Sequence, residues 1–183
     1  MACGNNGMST RINLSGEVLE EVESFVYLGS IFTSDSNCTQ DIRTRLAMGR
    51  SAMQSLSSVW KSKDISTNTN VRLLKALVWS TAIYGSEAWT LRSKEEKYIE
   101  VFRMRCYRRL LWIPWTQYKT NERTLCELKV DRELLERVKS LKFGFYGHTT
   151  RKYESLEKQT VQGCVPGYRN RGRQRRHWTD DIT

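Results

Sequence analysis

Three places in the chain set two acids side by side: Glu20-Glu21, Glu95-Glu96 and Asp180-Asp181. Clustered carboxylates are what two-metal chemistry on phosphates requires, so these pairs are the first candidates for catalysis. Each reads better another way. Neighbours on a strand point to opposite faces, and Glu20-Glu21 falls in an acidic, strand-like stretch, Glu17–Val22. Glu95-Glu96 belongs to Ser93-Lys94-Glu95-Glu96, a capping box. Asp180-Asp181 lies in an irregular tail with no preorganised partner. His148 continues an apolar helical stripe and reads as packed or capping, since no acid–base partner is near it in sequence. No phosphate-cradling glycine loop or Cys–His arrangement is visible. The five cysteines are widely spaced without a CxxC, which gives a zinc site no support and suits reduced intracellular thiols. The expectation is a chain with no catalytic residue, no metal ligand and no cofactor of its own.

Arginine chemistry is more prominent. Residues 1–40 carry one Arg against five acids, whereas residues 101–160 carry fourteen basic residues against seven acidic ones. The net charge of +10 therefore belongs to the C-terminal two thirds, and phosphate polyanions are the commonest partners of such surfaces. Arg103, Arg105, Arg108 and Arg109 crowd two helical turns, and no acid occurs between Glu100 and Glu122. Four such groups repel one another and are costly to bury, so they are expected in water or on an anion. Further along, Arg169, Arg171, Arg173, Arg175 and Arg176 fall within eight residues beside Tyr168, His177 and Trp178. That mixture suits phosphate pairing and base stacking, and equally a solubilising tail or an import signal.

The elements that must position these residues change period along the chain. Arg11–Leu14, a Ser15-Gly16 turn and Glu17–Val22 read as β structure. Ser24–Phe32, rich in aromatic and β-branched residues, reads as a buried strand whose Gly29 marks a bulge or a close backbone approach. From Ile42 the stripe Leu46, Gly49, Met53, Leu56 and Trp60 predicts a long amphipathic helix, with Asn37 and Gln40 as its capping box. A second helix is predicted from about Thr69 to Tyr84, stopped by Gly85. The third runs from the Ser93 box to Pro114, with Ile99, Phe102, Cys106, Leu110 and Ile113 inward. Thr120 and Asp131 cap two more, the latter striped by Leu134, Val138, Leu141, Phe145 and His148. No stretch approaches a membrane span and the N-terminus is not a signal peptide, so an intracellular protein of nucleus or cytoplasm is expected, not a secreted one.

These residues resemble a family. Phe25-Val26-Tyr27-Leu28-Gly29-Ser30 followed by the Ile42–Ala47 helix start is similar to the segment after the palm in non-LTR (LINE-type, RTE-like) retrotransposon endonuclease/reverse transcriptases. Tyr84-Gly85-Ser86-Glu87-Ala88-Trp89 resembles their Tyr-Gly-Xaa-Glu-Xaa-Trp stretch. Arg108–Ile113 with Trp115 and Thr120-Asn121-Glu122, then Leu141, Gly147-His148 and Arg151, look like the next blocks. Arg171-Gly172-Arg173 with Trp178–Ile182 resembles the Gly-Arg-rich, Trp-Xaa-Asp-Asp-Ile ending. The blocks keep their order over residues 12–182. The family's Tyr-Xaa-Asp-Asp pair, which would hold divalent magnesium in the palm, has no match here.

What the resemblance implies is substrate handling without catalysis. Tyr27, Leu28 and Gly29 would lie near a primer strand, with Gly29 in close approach. Helices would cradle a template–primer duplex, so the partners are RNA, DNA or their hybrid, and no membrane. The expected architecture is mainly α with a small N-terminal β-hairpin or sheet. It divides into an irregular start (1–10), primer-grip-like strands (11–36), thumb-like helices (37–113), a C-terminal helical region (114–160) and an Arg-rich tail (161–183). Loss of the palm would leave apolar surface open to self-association. The rival readings are an inert translated relic of a decayed retroelement and a basic helical DNA-binding or regulatory protein using the 120–150 helices.

Overall fold

Two tight hairpins open the chain in the computed structural model, which describes residues 13–34, 37–131, 133–153, 155–162 and 178–181. Strands β1 (Asn13–Leu14) and β2 (Glu17–Val18) pair antiparallel, as do β3 (Ser24–Tyr27) and β4 (Ser30–Thr33). Both two-residue turns, Ser15-Gly16 and Leu28-Gly29, have positive φ at each central residue. Such turns match the right-handed twist of the strands they join. This corrects the reading of Ser24–Phe32 as one buried strand. The chain reverses at Leu28-Gly29, and Val26 and Leu28 are 64% and 73% exposed. An apolar Leu beside the glycine disguised the turn. The acidic strand also stops at Val18, so Glu20 and Glu21 lie in the connection between hairpins.

The rest is helical, which makes the protein mainly α with two small antiparallel pairs near its N-terminus. Helix α1 (Thr39–Ser55) buries Ile42, Leu46, Gly49 and Met53, the expected stripe. A break at Leu56 starts the short α2 (Ser57–Lys61), and the Trp60 indole spans it by donating to the Met53 carbonyl at 2.9 Å. In place of an Asn37–Gln40 box, Cys38 holds the cap position and Asn37 Oδ1 accepts from the Thr39 backbone N–H at 3.1 Å. Gly49 is where helices cross: a Cβ there would lie 2.8 Å from both Ala82 Cβ and Phe102 Cζ.

The second predicted helix is interrupted. After α3 (Thr67–Leu73), capped by Ser66, one π-helical turn covers Leu74–Trp79 before α4 (Ser80–Ala82). The wider turn lets the adjacent Val78 and Trp79 both point inward while Leu77 stays exposed. Gly85, at φ 73°, ends it and leads into a 3-10 turn, Ser86–Ala88.

Helix α5 (Ser93–Leu110) is the central rod, with Ile99, Phe102, Cys106 and Leu110 buried as expected and Ile113 past its end and only half-buried. Its start is not a capping box. Arg92 holds the cap position, Glu95 is buried and accepts from Thr39 Oγ1 at 2.7 Å, and Glu96 pairs with Lys139 at 3.0 Å. Its end comes before Pro114, in a Schellman motif: Trp112 N–H donates to Arg109 O and Ile113 N–H to Arg108 O, with Trp112 at φ 53°.

A 3-10 turn (Trp115–Gln117) leads to α6 (Asn121–Leu128), where the Thr120 side chain accepts from Arg123 N–H as predicted. Helix α7 (Glu133–Arg151) packs on α5 and on the Ser86–Ala88 turn, and α8 (Leu156–Val161) follows. The α7 stripe drifts from the predicted one. Leu134, Val138, Lys142 and Thr149 are buried, whereas Leu141 and Phe145 are about two fifths exposed and His148 lies in solvent on the last turn. The i, i+4 ridge from Leu134 through Val138 leads to Lys142, which is tolerated inside because it meets the Trp178–Asp181 turn. No described helix is long and apolar enough to cross a membrane.

Candidate nucleic-acid interface

The Tyr27-Leu28-Gly29 turn is fixed to α1 by two buried charges. Arg45 Nη2 donates to the Gly29 carbonyl at 2.8 Å, and its guanidinium lies 4.6 Å from the Tyr84 ring centroid. One turn earlier, Asp41 Oδ1 accepts from Ile31 N–H at 2.9 Å and Oδ2 from the Trp89 indole at 2.7 Å. Gly29 thus serves a turn and a close approach together: a Cβ there would lie 2.9 Å from Arg45 Nη2. Tyr27 and Leu28 face outward and, with Phe32, Tyr84 and Arg137, line an open groove of about 500 Å³.

The four arginines of α5 divide. Arg103 is 2% exposed, which corrects its expected place on the outer surface. Its guanidinium pairs with Glu100 at 2.6 Å, donates to the Asp131 carbonyl at 3.2 Å and faces the Tyr107 ring. Partners on two elements offset the desolvation that exclusion from the core was expected to avoid. Arg108 is half-buried and holds the return of the next loop, donating to Lys119 O at 2.7 Å and Asn121 Oδ1 at 2.9 Å. Arg105 and Arg109 are exposed, one helical turn apart. Arg169, Arg171, Arg173, Arg175 and Arg176 lie outside the described residues.

Arg50 of α1, unnoticed in the sequence, joins Arg105, Arg108 and Arg109 around a groove of about 600 Å³. Its apolar floor includes Met53, Phe102 and Cys106, with Trp112, Ile113 and Pro114 at the α5 end, and no acid among the described residues lines it. Burial pushes the Cys106 thiol up to about 12 although Arg50 and Arg109 pull it down, so the floor stays neutral. The signal for Arg50 was available: it follows the buried Gly49 directly and so stands at the edge of the α1 stripe that packs on α5.

Other blocks of the resemblance meet in space. Trp178 donates its indole N–H to the Glu87 carbonyl at 2.7 Å, packs edge-on against Phe145 at 5.9 Å, and has the Lys142 ammonium 4.9 Å from its ring centroid. The Tyr84–Trp89 block, the α7 block and the Trp178 turn therefore form one packed unit. Trp89 and Trp178 hold the fold together, whereas Tyr84, Leu141, His148 and Arg151 of the same blocks are exposed.

Two of the three adjacent acid pairs are placed apart from each other and from any shared site. Glu95 and Glu96 are engaged with Thr39 and Lys139, and Glu20 and Glu21 are exposed between the hairpins. Among the described residues, no three His, Cys, Asp or Glu side chains converge as ligands.

A Caenorhabditis elegans protein described as an uncharacterized transposon-derived protein is 26% identical over 171 residues. The alignment covers 90% of this chain, which spans about 60% of that relative's length. No family model matches the chain, and no solved structure matches it. The chain is thus similar, over nearly its whole length, to a protein of transposon origin.

Proposed function

We propose that this chain is a nucleic-acid-binding part of a retroelement RNA-directed DNA polymerase, the region following the palm, which handles template–primer and has no catalytic centre of its own. The observation that carries the reading is the groove between α1 and α5, with four arginines and no acid among the described residues on its wall. Similarity to a transposon-derived protein and the ordered motif blocks support the same parentage. The exposed apolar side of the β3–β4 hairpin, with Phe25, Tyr27 and Phe32, suits a surface made to be covered by a palm, and it would favour self-association without one.

The test is equilibrium binding of a template–primer duplex across salt concentrations. Binding that falls steeply between about 50 and 200 mM salt is expected, because neutralised phosphates release counterions. Binding that ignores salt, or no binding at the low end, would overturn the reading. Metal-dependent nucleotide incorporation by the chain alone would overturn its non-catalytic part.

A further inference from the structure

Helix α5 leads from its arginines straight into an aromatic turn. Trp112, Trp115 and Tyr118 follow within nine residues of Arg109 and are 49%, 81% and 84% exposed. Large aromatic surfaces are normally buried, because their area dominates core energetics. Here the turn is held at both ends with its rings outside. The Schellman motif fixes Trp112, whose indole N–H donates to the Trp60 carbonyl at 3.0 Å and whose ring meets the Lys61 ammonium at 5.4 Å. The Arg108 bonds to Lys119 O and Asn121 Oδ1 fix the far end. Trp112 and Pro114 line the groove, and Trp115 and Tyr118 follow them on a turn held at both ends rather than on a free loop.

We propose that this surface is a platform for an unpaired nucleic-acid strand, with phosphates on Arg50, Arg105 and Arg109 and base faces on Trp115 and Tyr118. It rests on the nucleic-acid reading above and narrows it. In a duplex the base faces are already covered by stacking, so exposed rings add nothing to its binding. An unpaired strand offers both phosphates and base faces, and a charged groove whose end leads into a turn of exposed aromatic rings matches that pair of groups. Both groups are common to RNA and DNA, so the platform does not select between them.

The experiment compares, with the full chain, labelled single strands of roughly 12 nucleotides, a length within known single-strand site sizes, and a blunt duplex of the same length. Oligothymidylate and oligouridylate should bind within about threefold of each other and at least about tenfold tighter than the duplex. The double variant Trp115→Ala, Tyr118→Ala should weaken single-strand binding by about tenfold or more and duplex binding by less than about twofold. Both side chains are more than four fifths exposed, so the fold should persist, and Trp115→Phe should restore most of the affinity. If the duplex binds as tightly as the single strands, the platform is wrong. The same holds if the aromatic variant binds like the parent while Arg105→Gln, Arg109→Gln weakens every ligand, and the nucleic-acid reading then stands without it. If no nucleic acid binds, both fall together.

Discussion

Asp41 and Trp89 are 48 positions apart and joined by a buried 2.7 Å hydrogen bond from the indole N–H to the carboxylate. The other carboxylate oxygen accepts from Ile31 N–H, so one side chain ties the β3–β4 hairpin, α1 and the segment before α5 together. Asp41→Ala would leave two donors without their acceptor. Hydrogen bonds to charged groups contribute about 1.5–3 kcal/mol each, so a loss near ~3 kcal/mol is expected in urea unfolding. Asp41→Asn keeps one carbonyl acceptor and should cost roughly half. A double-mutant cycle with Trp89→Phe should show coupling above about 1 kcal/mol, and additive losses would contradict the link.

Gly29 and Gly16 occupy equivalent turn positions, at φ 80° and 90°, but only Gly29 has a neighbour. Alanine at either position meets the left-handed penalty of about 1–2 kcal/mol. At Gly29 it must also displace the Arg45 guanidinium from the Gly29 carbonyl and the Tyr84 ring. Gly29→Ala should therefore lower the melting temperature clearly more than Gly16→Ala. Equal shifts would mean that the Arg45 contact adds nothing.

Cys106 makes a prediction about alkaline pH. Its thiol is raised from 9.0 to about 12 by burial, so the folded state keeps the proton after the unfolded chain has lost it. Above about pH 9 the unfolded state binds fewer protons than the folded state, and stability falls as pH rises toward about 12, by at most ~1.4 kcal/mol per pH unit. Below about 9 the contribution is fully present. Tyr107 is pushed up as well, by burial and by Glu133, and steepens the same fall. Cys106→Ala should flatten the profile between about 9 and 12, as measured by unfolding at fixed pH. An unchanged slope would overturn the Cys106 contribution.

The sequence was most legible where one period serves one face. The α1 stripe and the inner face of α5 follow from spacing alone, because a helix packed on one side repeats its environment every turn. It was least legible where a contact joins distant positions. Glu100 is visible as the i−3 partner of Arg103, but the Asp131 carbonyl, 28 residues on, is not, and that second partner helps to make burial tolerable. Nothing in the local sequence singles out Asp41, because both its donors are remote. The α7 stripe failed at Lys142 for the same reason, since its cover, Trp178, lies 36 residues away.

The arginines of α5 can be separated by experiment. Arg103 is enclosed, and Arg103→Ala would leave Glu100 without its cation and the Asp131 carbonyl without a donor. Removing one partner of a buried pair costs about 3–5 kcal/mol, but Glu100 is 28% exposed and can recover some water, so ~2–3 kcal/mol is the expected loss. Arg105 and Arg109 have open surroundings, and Arg105→Gln or Arg109→Gln should change stability by less than about 0.5 kcal/mol. Each should instead weaken nucleic-acid binding across all sequences and reduce the magnitude of the salt slope by about 1. Arg103→Lys, which keeps the charge but not the forked geometry, should remain destabilised while leaving the salt slope of the folded fraction unchanged. A variant at Arg103 that folds normally but loses the salt slope would place that residue on the binding surface and Arg105 and Arg109 off it.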